Sequence, residues 1–209
     1  MSKKYLMFID ENGFTDKMNN FYMLGVIFDE GYYMKKDIQS ILNNMYLNED
    51  VDKIKIKDLK FNVIMSKITY EDAVDENTVS NAFKKLLYRY YCFLMENGGE
   101  NAGIAFEWKK EMGRSERGQI IFNLYMDKDR ISEMDECNTL INRFMIIDNT
   151  CTQYTNLLKI YTLIKNPLIY SCNKQENNKK KYFCNDIINQ KIVETIKSRF
   201  FIEEIAFDI

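Results

Sequence analysis

The sequence predicts an α/β fold: a mixed sheet of about five strands with helices on both faces, in a single domain. Three observations lead there. The chain opens on an apolar run, Tyr5-Leu-Met-Phe-Ile9, free of glycine and proline, which reads as a strand buried on both faces. A similar short run, Phe144-Met-Ile-Ile147, also stops at an aspartate. Between them, residues 77–96 place Val79, Phe83, Leu86, Leu87, Tyr90 and Leu94 on one stripe, the spacing of an amphipathic helix.

Taken in order, the opening strand should end at Asp10-Glu11, with Asn12-Gly13 turning the chain because that pair suits a backbone with φ > 0. A second strand, Phe21 to Phe28, returns it. Two adjacent carboxylates at the end of a central strand are either plain turn residues or a site, since open α/β sheets bind ligands at the carboxyl ends of their strands. Tyr32 to Met45 reads as a helix on Met34, Ile38, Ile41 and Leu42. Lys53 to Phe61 alternates lysines with Ile54 and Ile56, as an edge strand guarded by charge does. Gly98-Gly99 should stop the long helix. Its aromatic residues fit core packing better than a base-stacking platform. Ile104 to Trp108 follows as a strand, residues 109–118 as a mobile, charged insertion, and Ile120 to Ile131 as a helix. After Phe144 to Asp148 comes a helix bearing Tyr154, Leu157, Leu158, Tyr161 and Ile164. Beyond Pro167 a short strand, Leu168 to Cys172, precedes a polar stretch ending in Lys179-Lys180-Lys181, which is either a solvated loop or a phosphate-binding run. The last helix spans about Tyr182 to Ser198. Asp186 in its first turn suits the helix dipole and is equally a candidate ligand.

Composition excludes several chemistries. The chain has no histidine, so it contains no Ser-His-Asp or Cys-His catalytic set, no histidine-ligated zinc and no histidine general base. Carboxylates, lysine, tyrosine, cysteine or a metal must do any chemistry. A net charge of −2 gives no global basic field for nucleic acid, although a metal brings its own positive charge. The five cysteines are scattered, with no C-x-x-C pair, and read as reduced thiols of a cytoplasmic protein. No apolar run reaches membrane-spanning length. The opening Met-Ser-Lys-Lys runs straight into a strand, so a signal peptide is not expected. Richness in Asn, Lys, Ile and Tyr suggests a bacterial or phage origin in an AT-rich genome.

Several motifs, in order, resemble the bacterial and phage family called domain of unknown function 3800. That family opens with a strand ending Asp-Glu-Ser-Gly and then a Leu-Gly-Gly-Val strand; here stand Asp10-Glu11-Asn12-Gly13 and Leu24-Gly25-Val26. Its Glu-Leu-Lys motif matches Asp58-Leu59-Lys60-Phe61, with aspartate for glutamate. Its middle-strand aspartate matches Asp148. Its late Ser-Lys stretch and Leu-Gln-Leu-Ala-Asp-Leu-Ile helix match Ser171, Lys174 and Phe183-Cys184-Asn185-Asp186-Ile187-Ile188, with Cys184-Asn185 for Leu-Ala. The resemblance covers most of the chain and implies an RNase H-like mixed sheet in one domain, residues 1–209.

It also implies a chemistry. In RNase H-like enzymes carboxylates from the first strand, a middle strand and a late helix converge on Mg²⁺ or Mn²⁺, hard ions that prefer oxygen ligands. Asp10, Asp148 and Asp186 are then the expected metal ligands and catalytic residues, with Glu11 and Asp58 as further ligands. Lys60, Lys179, Lys180 and Lys181 would hold the phosphates of a single-stranded nucleic acid. The activity expected is a metal-dependent phosphodiesterase or nuclease. Repulsion among clustered carboxylates would make the metal-free protein slightly more stable once Asp10 is removed. The alternative is a non-catalytic phage or mobile-element protein that binds a host nucleoprotein and inhibits a defence complex, as an anti-CRISPR does, because fold does not determine function. An enzyme needs Asp10, Asp148 and Asp186 together, whereas a binding module tolerates them apart or salt-bridged.

Overall fold

The structure, a computed structural model, describes residues 3–12, 20–33, 59–69, 76–107, 123, 140–147, 154, 157–165, 168, 194, 196 and 198–201, with the backbone alone at 11, 12, 20, 21, 68, 69, 76, 78 and 107. Strand β1 is Tyr5–Asn12 and β2 is Asn20–Asp29, followed by a one-turn helix α1, Glu30–Tyr33. Strand β3 is Phe61–Thr69, helix α2 is Glu76–Asn97, β4 is Ala102–Glu107 and β5 is Ile141–Ile147. Residues 157–165 are helical.

The five strands form one sheet in the order β3-β2-β1-β4-β5. Strands β3, β2 and β1 pair antiparallel, while β1, β4 and β5 run parallel. The apolar opening run is therefore the central strand, and the architecture is the mixed five-stranded, helix-flanked α/β sheet that the sequence led us to expect.

Strand alternation divides β1 between two cores. Tyr5, Met7 and Ile9 face α2 and pack with its Val79, Phe83, Leu86, Leu87, Tyr90, Phe93 and Leu94. Leu6 and Phe8 face the other way and pack with Leu157, Leu158, Ile160, Tyr161 and Ile164. Burying the Phe8 side chain alone is worth about 1.5–3 kcal/mol. Gly25 lets the sheet close against α2: a methyl group there would come 2.7 Å from Met7 Sδ and 2.9 Å from Ile64 Cγ1. Helix α2 stops where expected. Gly98 takes φ 65° and the Gly99 N–H donates to the Leu94 carbonyl at 2.8 Å, the left-handed closure that glycine permits.

Two expectations need correction. Strand β1 runs past Asp10 to Asn12, because β2 continues to pair with it as far as Asn12↔Tyr22. Strand β3, which sequence reading did not extend past Phe61, runs to Thr69 and carries buried residues on both faces from Val63 to Ser66. Its outer edge is covered by backbone: Val63 N–H donates to the Arg199 carbonyl and Phe201 N–H to the Val63 carbonyl, both at 2.9 Å. The sheet margin is thus sealed by chain, and Phe200 bridges Val63 in parallel. The 53–58 segment, the 109–118 insertion and all but Tyr32 and Tyr33 of the helix expected over Tyr32 to Met45 lie outside the described residues, and those two residues are helical in α1. Leu168, placed at the start of a strand by sequence, is helical. Among the described residues no helix is long and apolar enough to cross a membrane.

Candidate functional site

On its parallel side β1 stays paired with β4 through Ile9↔Phe106. On its antiparallel side pairing continues through Asp10↔Leu24. Asp10 is therefore the first residue of β1 beyond the parallel ladder, at the carboxyl ends of three parallel strands, the place where α/β sheets build sites. It is only 3% exposed.

Its counter-charge is a lysine that sequence reading passed over. Lys165 Nζ lies 2.8 Å from Asp10 Oδ2, and both side chains are buried. The two elements meet in step. Four residues of helix rise about 6 Å and two residues of strand about 6.6 Å, so Tyr161 and Lys165 reach Phe8 and Asp10 respectively. Phe8 and Tyr161 stack with ring centroids 5.3 Å apart, and Lys165 Nζ lies 5.3 Å from the Tyr161 ring centre. The signal was present in the sequence: Lys165 is four residues past Tyr161 on the buried stripe, and a lysine there needs a partner. The ion pair also reverses the expectation that metal-free protein gains stability when Asp10 is removed, because an ammonium now faces the carboxylate.

The register adds Glu107, which lies inside the strand expected over Ile104 to Trp108 and was given no role there. Ile9 pairs with Phe106 and Glu107 with Ile147, so the Glu107 backbone stands one row on, level with Asp10. Strand β5, whose last residue Ile147 precedes Asp148, is parallel to β1 but separated from it by β4, about 10 Å away.

Lys60 is exposed and sits 4.9 Å from the Tyr32 ring centre. It precedes Phe61, which pairs with Phe28, and Phe28 pairs with Leu6. Lys60 is therefore at the opposite end of the sheet from Asp10, about 17 Å along the strands, and the register does not bring it to the Asp10 end. Asp58, Asp148, Asp186, Lys179, Lys180 and Lys181 lie outside the described residues, as does the Glu11 side chain. Among the described residues no three His, Cys, Asp or Glu side chains gather as a metal set. The donor offered at the strand end, a carboxylate oxygen in a chain without histidine, suits Mg²⁺ or Mn²⁺ in kind.

The amino end of the parallel strands carries an ion pair of another type. Arg143 of β5 donates from Nε to the Asn101 carbonyl at 2.9 Å, from one terminal nitrogen to Glu30 Oε1 at 3.0 Å and from the other to the Tyr5 carbonyl at 3.4 Å. Gly103 makes room, since a methyl group there would lie 3.3 Å from the guanidinium carbon. On the other face the buried Tyr90 hydroxyl donates to the Gly103 carbonyl at 3.2 Å. Burial drives that phenol well above the ordinary tyrosine range.

No family model matches the chain, and no curated protein matches it in sequence. Solved structures do resemble it at a distance. A chain of the PCNA:RNase HII complex from Archaeoglobus fulgidus is 11% identical, with 90% of this chain and 86% of that one covered and a TM-score of 0.36. The ribonuclease H2 from Pyrococcus horikoshii is 9% identical, with 93% and 88% covered and a TM-score of 0.35.

Proposed function

We propose that the chain is a Mg²⁺- or Mn²⁺-dependent phosphodiesterase of nuclease type, acting on single-stranded nucleic acid, with Asp10 as its first metal ligand. The observation that supports this most is the position of Asp10: a buried carboxylate where the central parallel ladder opens. Asp148 and Asp186 are the further ligands the resemblance to the domain of unknown function 3800 family implies. Glu11 and Glu107 are the nearest additions by chain position and register. A divalent ion held there supplies Lewis acidity and positive charge toward a phosphodiester. The chain's own contribution is to keep Asp10 oriented by strand pairing, to exclude water beneath it with Phe8 and Tyr161, and to hold a cation, Lys165, against its carboxylate.

The test is cleavage of labelled single-stranded RNA and DNA in MnCl₂ by wild type and Asp10→Asn. Mn²⁺-dependent cleavage by wild type, lost in a folded Asp10→Asn variant, is the expected result. A second reading is favoured by the ion pair itself: an aspartate already neutralised by lysine suits a non-catalytic protein that binds a host defence complex. Folded wild type that cuts neither substrate in MnCl₂ selects that reading.

A further inference from the structure

We infer that Lys165 is the resident counter-ion of Asp10, and that a divalent metal reaches Oδ2 of Asp10 only by displacing the Lys165 ammonium. The inference rests on the metal-dependent reading above and deepens it. It stands on geometry: Lys165 Nζ is 2.8 Å from Oδ2, one of the two oxygens an aspartate offers to a metal. Two cations cannot share that oxygen at close range without strong repulsion. Both partners are buried, Asp10 at 3% and Lys165 at 8% exposed, so water screens the contest little.

The helix register makes exchange feasible. Lysine is a compact charge on a flexible four-carbon stem, and this stem runs past the Tyr161 ring. The ammonium can withdraw without moving the helix, whereas a bidentate guanidinium would be harder to release. The metal-free protein therefore leaves no carboxylate buried alone at the strand end. Metal affinity is lowered by whatever the ion pair contributes. Close interfacial charge pairs couple by amounts that correspond to about tenfold or more in affinity. Once displaced, the ammonium remains beside the strand end, where an anionic substrate would approach.

The experiment compares wild type, Lys165→Met, Lys165→Gln and Asp10→Asn by titration with MnCl₂, reading free Mn²⁺ by electron paramagnetic resonance. The glutamine variant keeps a hydrogen-bond donor toward Asp10, which guards against misfolding of the methionine variant. Both lysine variants should bind Mn²⁺ about tenfold or more tightly than wild type, and Asp10→Asn should lose the site. A second measurement needs no variant. Wild type is acetylated with sulfo-NHS-acetate with and without saturating MgCl₂, and the peptide containing Lys165 is quantified by mass spectrometry. Magnesium should raise labelling of Lys165. If Asp10→Asn loses Mn²⁺ binding but the lysine variants bind like wild type and Lys165 labelling ignores Mg²⁺, the inference falls while the metal reading stands. If no variant binds Mn²⁺, or Asp10→Asn binds like wild type, both fall. Binding seen only in the lysine variants supports the inference in its strongest form, with the ammonium excluding the metal.

Discussion

The parallel strands carry an ion pair at each end, and the two are built on opposite principles. At the amino end Arg143 is a fork. It ties three pieces of chain through the carbonyls of Asn101 and Tyr5 and the Glu30 carboxylate, and about a third of its side chain meets solvent. At the carboxyl end Lys165 sets a compact point charge 2.8 Å from one buried oxygen of Asp10. The arginine spends its donors on backbone and so stitches the fold. The lysine holds one carboxylate whose desolvation is costly and whose pairing rarely adds net stability. A buried pair that contributes little to stability, at the strand ends where sites form, is better explained by function than by architecture.

That contrast can be broken first at the lysine end. Asp10→Ala takes the carboxylate away from a buried ammonium and should cost about 3–5 kcal/mol, read by urea unfolding in EDTA. A smaller loss than Arg143→Ala produces would overturn the comparison. Next, Arg143→Lys retains the charge but loses the fork. It should cost about 1–2 kcal/mol, seen as a lower Tm with no change in Mn²⁺ binding; a shift in metal affinity would mean that the two ends are coupled.

A smaller effect probes the amino end from its other face. Tyr90→Phe should cost about 1 kcal/mol by losing the bond to the Gly103 carbonyl. It should also alter the alkaline limb. The folded Tyr90 phenol is held above its ordinary range, so its contribution is complete below the unfolded pKa of about 10 and falls as pH rises, because the unfolded chain releases its proton first. Denaturation midpoints from pH 9 to 11 should decline less steeply in Tyr90→Phe. The smallest change is Asn101→Gly. Asn101 sits at φ 52°, which glycine adopts freely, and Arg143 uses only its carbonyl. Stability should stay within about 0.5 kcal/mol of wild type, and a larger loss would assign weight to the exposed Asn142–Asn101 side-chain bond.

How much of this was legible depended on whether a residue's role is local. Strands β1 and β2 and helix α2 were read closely because burial on both faces and a 3.6-residue stripe leave local patterns. Strand β3 was not read beyond Phe61 because Phe61 to Ser66 alternates little between apolar and polar residues. Asp10 was legible as a carboxylate ending an apolar run. Lys165 was legible only as a lysine on the buried stripe that needs a partner; which partner was not, because Asp10 lies far away in sequence. Glu107 gained interest only from cross-strand register, which requires knowing that β4, and not β5, lies beside β1.

The seal on β3 bears on how the molecule is made. Its two hydrogen bonds join position 63 to positions 199 and 201, so the margin closes only after a long loop has been drawn in. All five described strands are available once β5 has emerged from the ribosome. Until residues 199–201 arrive, the outer N–H and C=O groups of β3 stay open to any extended chain nearby. Such long-range pairing is slow to form, and this interval is when nascent chains are most prone to strand-to-strand association and most in need of chaperone cover.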